Sequence, residues 1–102
     1  MIPPAQPGGS ASGAIVRVMK IVNEKGLHAR ASAKFVQMVE KYEAKVSVSR
    51  NGESAGGDSI MGLMMLAAGI GTSITVSATG AQAAEVMAAL DALVSGRFGE
   101  EE

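Results

Sequence analysis

An α+β domain, a four-stranded antiparallel sheet with three helices on one face, is what this 102-residue chain predicts from three observations. Segments with period-two alternation are interleaved with Ala- and Met-rich segments of helical period. An Asn51-Gly52 pair, the strongest short hairpin signal, falls between two of the strand-like segments. The resulting order is strand, helix, strand, strand, helix, strand, helix, which two split crossings and a central hairpin accommodate in one sheet.

The elements follow in order. Residues 1–13 hold all three prolines with Gly8, Gly9, Ser10, Ser12 and Gly13, a composition that buries too little apolar surface to offset its ordering entropy, and they read as a flexible tail. The domain then runs over residues 14–102. Residues 14–22 alternate, with Ile15, Arg17, Met19 and Ile21 on one side and Val16, Val18, Lys20 and Val22 on the other. Asn23-Glu24-Lys25-Gly26 reads as a turn, because Asn and Gly tolerate left-handed backbone. A helix over residues 28–41 follows, with Phe35, Val36, Val39 and Tyr42 on its apolar face and Ala29, Ala31 and Ala33 favouring the helical state.

Residues 44–50 alternate strictly, with Ala44, Val46 and Val48 inward, and the return strand over residues 53–56 is poor enough in apolar side chains to lie at an edge. Ser59 or Asp58 caps a second helix whose Ile60, Leu63, Met64 and Ala67 face the core, and Gly69 and Gly71 end it. Residues 72–78 form the strand that closes the sheet. After a turn at Thr79-Gly80, Ala83, Val86, Leu90 and Leu93 line one face of a third helix that Gly96 ends. Glu100, Glu101 and Glu102 form an acidic tip.

Composition removes several function classes. With no cysteine there are no disulfides, no thiol chemistry and no Cys-type metal site, and one histidine makes a His-based zinc site a poor expectation, so no metal and no cofactor are expected. Nine basic against ten acidic residues give a net charge of −1, which provides no general attraction to nucleic acid or to an anionic membrane. The longest apolar run, residues 60–68, is far short of the roughly 20 residues that span a bilayer, and the first residues carry neither a charged leader nor an apolar core; the expected location is the cytoplasm.

The chemistry gathers around the single histidine, His28, in Gly26-Leu27-His28-Ala29-Arg30. At a helix N-terminus the unpaired N–H groups and a partial positive charge of about half a unit welcome an anion and disfavour imidazolium. A neutral ring there keeps one lone pair for attack on an electrophile such as phosphorus, and Arg30 adds a donor fork suited to phosphate oxygens. A histidine that merely caps or packs at the helix start is the alternative. Ser59 likewise reads on its own as an N-cap. His28, Ser59 and Asp58 supply the residue types of a hydrolase triad, but adjacent Asp58 and Ser59 cannot serve one imidazole from opposite ends, and Ser59 lies in no Gly-x-Ser-x-Gly elbow. No Gly-rich loop followed by Lys points to ATP, so the chain reads as a substrate of kinases and not as an enzyme.

The motif Gly26-Leu27-His28-Ala29-Arg30 resembles the phosphorylation site of HPr, the histidine-containing phosphocarrier of the bacterial phosphotransferase system. A second stretch in the right order, Asp58-Ser59-Ile60-Met61-Gly62-Leu63-Met64-Met65-Leu66, is similar to that family's regulatory serine segment, and the likeness runs from Ala14 onward. The resemblance implies an open-faced β-sandwich and a phosphoryl group carried on Nδ1 of His28. It implies enzyme I, charged by phosphoenolpyruvate, as donor and an enzyme IIA domain as acceptor, with Arg30 at the phosphoryl group. It further implies phosphorylation of Ser59 by a serine kinase such as HPr kinase/phosphorylase. Exposed apolar residues of that helix, at Met61, Gly62 and Met65, would then form a partner-docking patch of a monomeric carrier. The family motif has Pro directly after its arginine where this chain has Ala31, which leaves the helix start less rigid. A relay in the nitrogen-linked branch and a docking regulator that carries no phosphate remain alternatives.

Overall fold

The computed structural model describes residues 14–100; the expected tail over residues 1–13, and Glu101 and Glu102 of the acidic tip, lie outside them. The elements are β1 (Ile15–Lys20), α1 (Ala29–Val39), β2 (Lys45–Arg50), β3 (Glu53–Gly56), α2 (Ile60–Met65), β4 (Ser73–Thr79) and α3 (Ala83–Ser95), followed by a 3-10 turn over Arg97–Gly99. All strand pairs are antiparallel and the order across the sheet is β1-β4-β2-β3. The sheet and its three helices form the open-faced α+β sandwich that the sequence predicts.

Alternation in the strands becomes the division between core and solvent. Met19 of β1, Val46 and Val48 of β2, and Ile74, Val76 and Ala78 of β4 are buried beneath the helices together with Phe35, Val36, Val39, Leu63, Val86, Met87, Leu90 and Val94. The opposite face shows Ser47, Ser49, Thr75 and Ser77, with Val16 and Val18 more than half exposed at its β1 edge. Arg17 points to the helix side at that edge, where Nη1 donates to Asp91 Oδ2 of α3 at 3.0 Å. Helix α3 lies over β1 and β4, α2 lies against β3, and α1 touches both other helices.

Three details differ from the sequence reading. The last strand, β4, is central, pairing with β1 on one side and β2 on the other, while β3 is the edge strand as expected. Helix α1 ends at Val39, capped by Glu40. Helix α2 ends early: Leu66 caps it, Ala67 turns left-handed at φ 54°, and Arg50 Nη1 donates to the freed Leu66 carbonyl at 3.0 Å. The helical period therefore stops short, so Leu63, Leu66 and Ala68 enter the core while Ile60, Met64 and Ala67 do not. At the hairpin Asn51 and Gly52 both take positive φ, 54° and 81°, as the tight primed turn needs.

Candidate functional site

The loop before α1 is pinned from both sides. Gly26 has φ 65°, its N–H donates to the Asn23 carbonyl at 3.2 Å, and an added Cβ would lie 2.3 Å from the Ala68 carbonyl oxygen, so only glycine fits. Leu27 N–H donates to that same Ala68 carbonyl at 3.0 Å, while the Leu27 carbonyl accepts from the buried Ser32 hydroxyl at 3.2 Å. His28 then takes extended backbone and becomes the N-cap of α1. With Ala31 in place of proline the first turn still forms, and Ser32 N–H donates to the His28 carbonyl at 2.9 Å.

Both ring nitrogens of His28 are engaged, in opposite senses. Nδ1 accepts from the Arg30 backbone N–H at 3.2 Å, so a lone pair of this nitrogen faces the helix N-terminus. Nε2 faces Glu100 Oε2 at 2.5 Å, and because an ionised carboxylate only accepts, it is Nε2–H that donates. A neutral ring meeting both neighbours is therefore the Nε2–H tautomer, and its free lone pair is on Nδ1. The side chain of His28 is 27% exposed and that of Glu100 13%, so the carboxylate is sheltered while the imidazole is reachable. The His28 hydrogen bond holds the Glu100 carboxyl below the ordinary carboxylate value; burial pushes the other way, and the Asn23 amide and the charge of Lys25 add to the lowering.

Glu100 is the main correction to the sequence reading. Read as part of an acidic tip, it instead turns inward to the His28 ring. It arrives there because Phe98, beyond the end of α3, is fully buried, and because Lys34 Nζ donates to the Phe98 carbonyl at 2.6 Å. The available signal was Phe98 itself, an aromatic residue in a segment otherwise polar, which says that the chain packs back after Gly96. Asn23, read as a turn former, is buried and donates from Nδ2 to Glu100 Oε1 at 3.2 Å.

Around this pair lies an open cavity of about 270 Å³ lined by three cations, Lys25, Arg30 and Lys34, and two acids, Glu24 and Glu100, beside His28 and Gly99. The cations and the N-terminal amides favour an anion of phosphate size. A second hollow is lined by Lys25, Leu27, His28, Ala67, Ala68 and Gly69, between the His28 loop and the segment that follows α2. The structure thus brings His28 and Arg30 together, with Arg30 exposed.

Ser59, Met61, Gly62 and Met65 do not line the His28 cavity. Ser59 is the N-cap of α2, its Oγ accepting from Gly62 N–H at 3.0 Å. Gly62 is packed against β3, where an added Cβ would meet Ala55 Cβ at 2.9 Å. Met61 and Met65 are 68% and 70% exposed, and Ile60, Met64 and Ile70 are exposed large apolar residues as well.

Comparison with known proteins agrees with this geometry. Residues 15–96 match the family described as PTS HPr component phosphorylation site. The phosphocarrier protein HPr of Cupriavidus necator is 51% identical over 82 residues, covering 80% of this chain and 92% of that protein. The phosphocarrier protein NPr of Shewanella violacea is 34% identical over 84 residues, covering 82% and 92%. A crystal structure of HPr from Thermoanaerobacter tengcongensis superposes with a TM-score of 0.82 at 35% identity, covering 86% of this chain and 99% of that one. A matched family region spanning most of the described fold, with half-identical relatives, decides the matter: the chain belongs to the HPr family of phosphocarrier proteins of the phosphotransferase system.

Proposed function

We propose that this chain is a cytoplasmic carrier in which His28 takes a phosphoryl group on Nδ1 from enzyme I, charged by phosphoenolpyruvate, and passes it to an enzyme IIA domain. The observation that carries the reading is the opposed engagement of the ring, Nε2 on Glu100 and Nδ1 toward the helix N-terminus. The Nδ1 lone pair forms the bond to phosphorus as the bond from phosphorus to the donor breaks, its electron pair leaving with the donor. The Nε2 proton stays in place. The ring gains positive charge, which the Glu100 carboxylate offsets, and the Arg30 N–H exchanges Nδ1 for a phosphoryl oxygen. Arg30 then adds its guanidinium, with Lys25 and Lys34 close by. Because the phosphoryl group leaves again by the reverse set of steps, nothing is consumed in the domain. Every group at the site comes from a single chain, so a monomer suffices.

Met61, Gly62 and Met65 serve in this reading as the docking surface, and Ser59 as a site for a serine kinase such as HPr kinase/phosphorylase. A second reading, a relay in a nitrogen-linked branch, takes its support from the NPr relative and has the same chemistry with no sugar. The higher identity to HPr favours the sugar branch. The test is incubation with enzyme I and phosphoenolpyruvate. One acid-labile, base-stable phosphate is expected, absent from His28→Ala. A labelled His28→Ala protein would refute the carrier, and a wild type that binds enzyme I without label would establish a docking regulator instead. Offering the labelled protein to sugar-specific and nitrogen-branch enzyme IIA domains then assigns the branch.

A further inference from the structure

We infer that Asn23 is a positioning residue for the chemistry at His28, acting through Glu100; the inference rests on the carrier reading above for its consequence but not for its geometry. Asn23 is completely buried, and its Nδ2 donates two hydrogen bonds, to the Gly26 carbonyl at 2.9 Å and to Glu100 Oε1 at 3.2 Å. Both neighbours are acceptors, so the amide nitrogen and not its oxygen must face them. Both N–H groups are used. The amide oxygen, in contrast, is buried with no hydrogen-bond partner among the described residues. A turn alone gives no reason to keep an orphaned buried oxygen, whereas a position that must supply two converging N–H groups does.

The two carboxylate oxygens of Glu100 are divided between Asn23, on Oε1, and His28, on Oε2. Asn23 thereby joins the turn that precedes His28 to the carboxylate that holds it. The segment that delivers Glu100 needs such a fastening. Arg97, Phe98 and Gly99 all have left-handed backbone, with φ of 60°, 55° and 75°, and two of the three are not glycine. Backbone of this kind persists only where the surroundings over-determine it. The Phe98 ring in the core and Lys34 on the Phe98 carbonyl hold the chain, and Asn23 gives the Glu100 carboxylate a second hold beside His28, on the oxygen that His28 does not use. With Asn23 in place the carboxylate stays on Nε2–H and the ring keeps Nδ1 toward the helix N-terminus, from where it attacks phosphorus as the Arg30 N–H passes from Nδ1 to a phosphoryl oxygen.

The test uses Asn23→Ser, whose hydroxyl still reaches toward the Gly26 carbonyl but not to Glu100, with Asn23→Ala beside it and Glu100→Ala as the reference. In the full-length unphosphorylated protein, NMR of the imidazole should show a His28 Nε2–H proton shifted downfield and slow to exchange, lost in Glu100→Ala and broadened or lost in both Asn23 variants. Phosphorylation by enzyme I should slow roughly 3- to 30-fold in Asn23→Ser, the size expected for one bond of a coupled network. In the Glu100→Ala background Asn23→Ser should slow it no further. An unchanged His28 proton in Asn23→Ser, or the same slowing with and without Glu100, would make Asn23 a turn residue only and overturn the inference. If no protein form is labelled, the carrier reading fails, and the NMR arm still decides whether Asn23 acts through Glu100.

Discussion

Helices α1 and α2 begin with the same device and diverge in everything around it. In α1 the N-cap is His28, whose Nδ1 accepts the N–H two residues on; in α2 it is Ser59, whose Oγ accepts the N–H three residues on. Either position offers an anion unpaired amides and the positive end of a dipole. Around His28 the chain adds Lys25, Arg30 and Lys34 and a carboxylate on the far nitrogen. Beside Ser59 it places Asp58 and, on the helix that follows, exposed Met61 and Met65. A helix start alone makes a cap; what sets the His28 start apart is the cations and the carboxylate that converge on it. In the proposed function one start receives and releases a phosphoryl group, and the other changes how the exposed methionines meet a partner.

The sharpest way to break the comparison is to remove the two caps in turn. His28→Ala should lose phosphorylation by enzyme I entirely, while Ser59→Ala should be labelled at the wild-type rate; loss of label in Ser59→Ala would show that the two helix starts form one site. Arg30→Ala comes next. Charge-assisted hydrogen bonds to phosphate contribute about 1.5–3 kcal/mol, so transfer should slow roughly 10- to 150-fold in stopped-flow or quench measurements, with the melting temperature almost unchanged because Arg30 is exposed. Lysine should restore only part of the rate, lacking the planar fork.

The Ser59 side of the comparison is sharpened by Ser59→Asp, which keeps a capping oxygen and adds a charge next to the apolar surface. Enzyme I binding should weaken by an amount that shrinks between low and high salt in titration calorimetry, while circular dichroism stays as in wild type. Ser59→Ala should instead reduce stability by about 1 kcal/mol through loss of the cap, and leave binding as it was. Equal affinity of the Asp form would leave Ser59 as a cap alone.

The smallest effect is the pH dependence of the Glu100 contact. A carboxyl lowered in the folded chain adds stability that is complete above its unfolded value, about 4.3, and is lost as pH falls through the lowered one. The difference in melting temperature between wild type and Glu100→Ala should accordingly shrink as pH falls below about 4.3 and through the lowered value. A difference that instead grew on acidification from about pH 4.3 downward would contradict the lowered carboxyl.

The sequence by itself determined what depends on a few neighbouring residues. Element order, the Asn51-Gly52 hairpin, the Gly26 turn, and the placing of His28 and Ser59 at helix starts are all set within about one turn of chain, where backbone preference and side-chain period act. Tertiary structure decided the rest. The central place of β4 depends on which strands share buried faces, and the early end of α2 on Arg50 reaching the Leu66 carbonyl. Glu100, Asn23 and Lys34 came to the site from contacts spanning 72, 77 and 64 residues. No local pattern encodes such a meeting; burial of Phe98 folds the end of the chain back, and only then does an apparently solvated glutamate become the partner of the histidine.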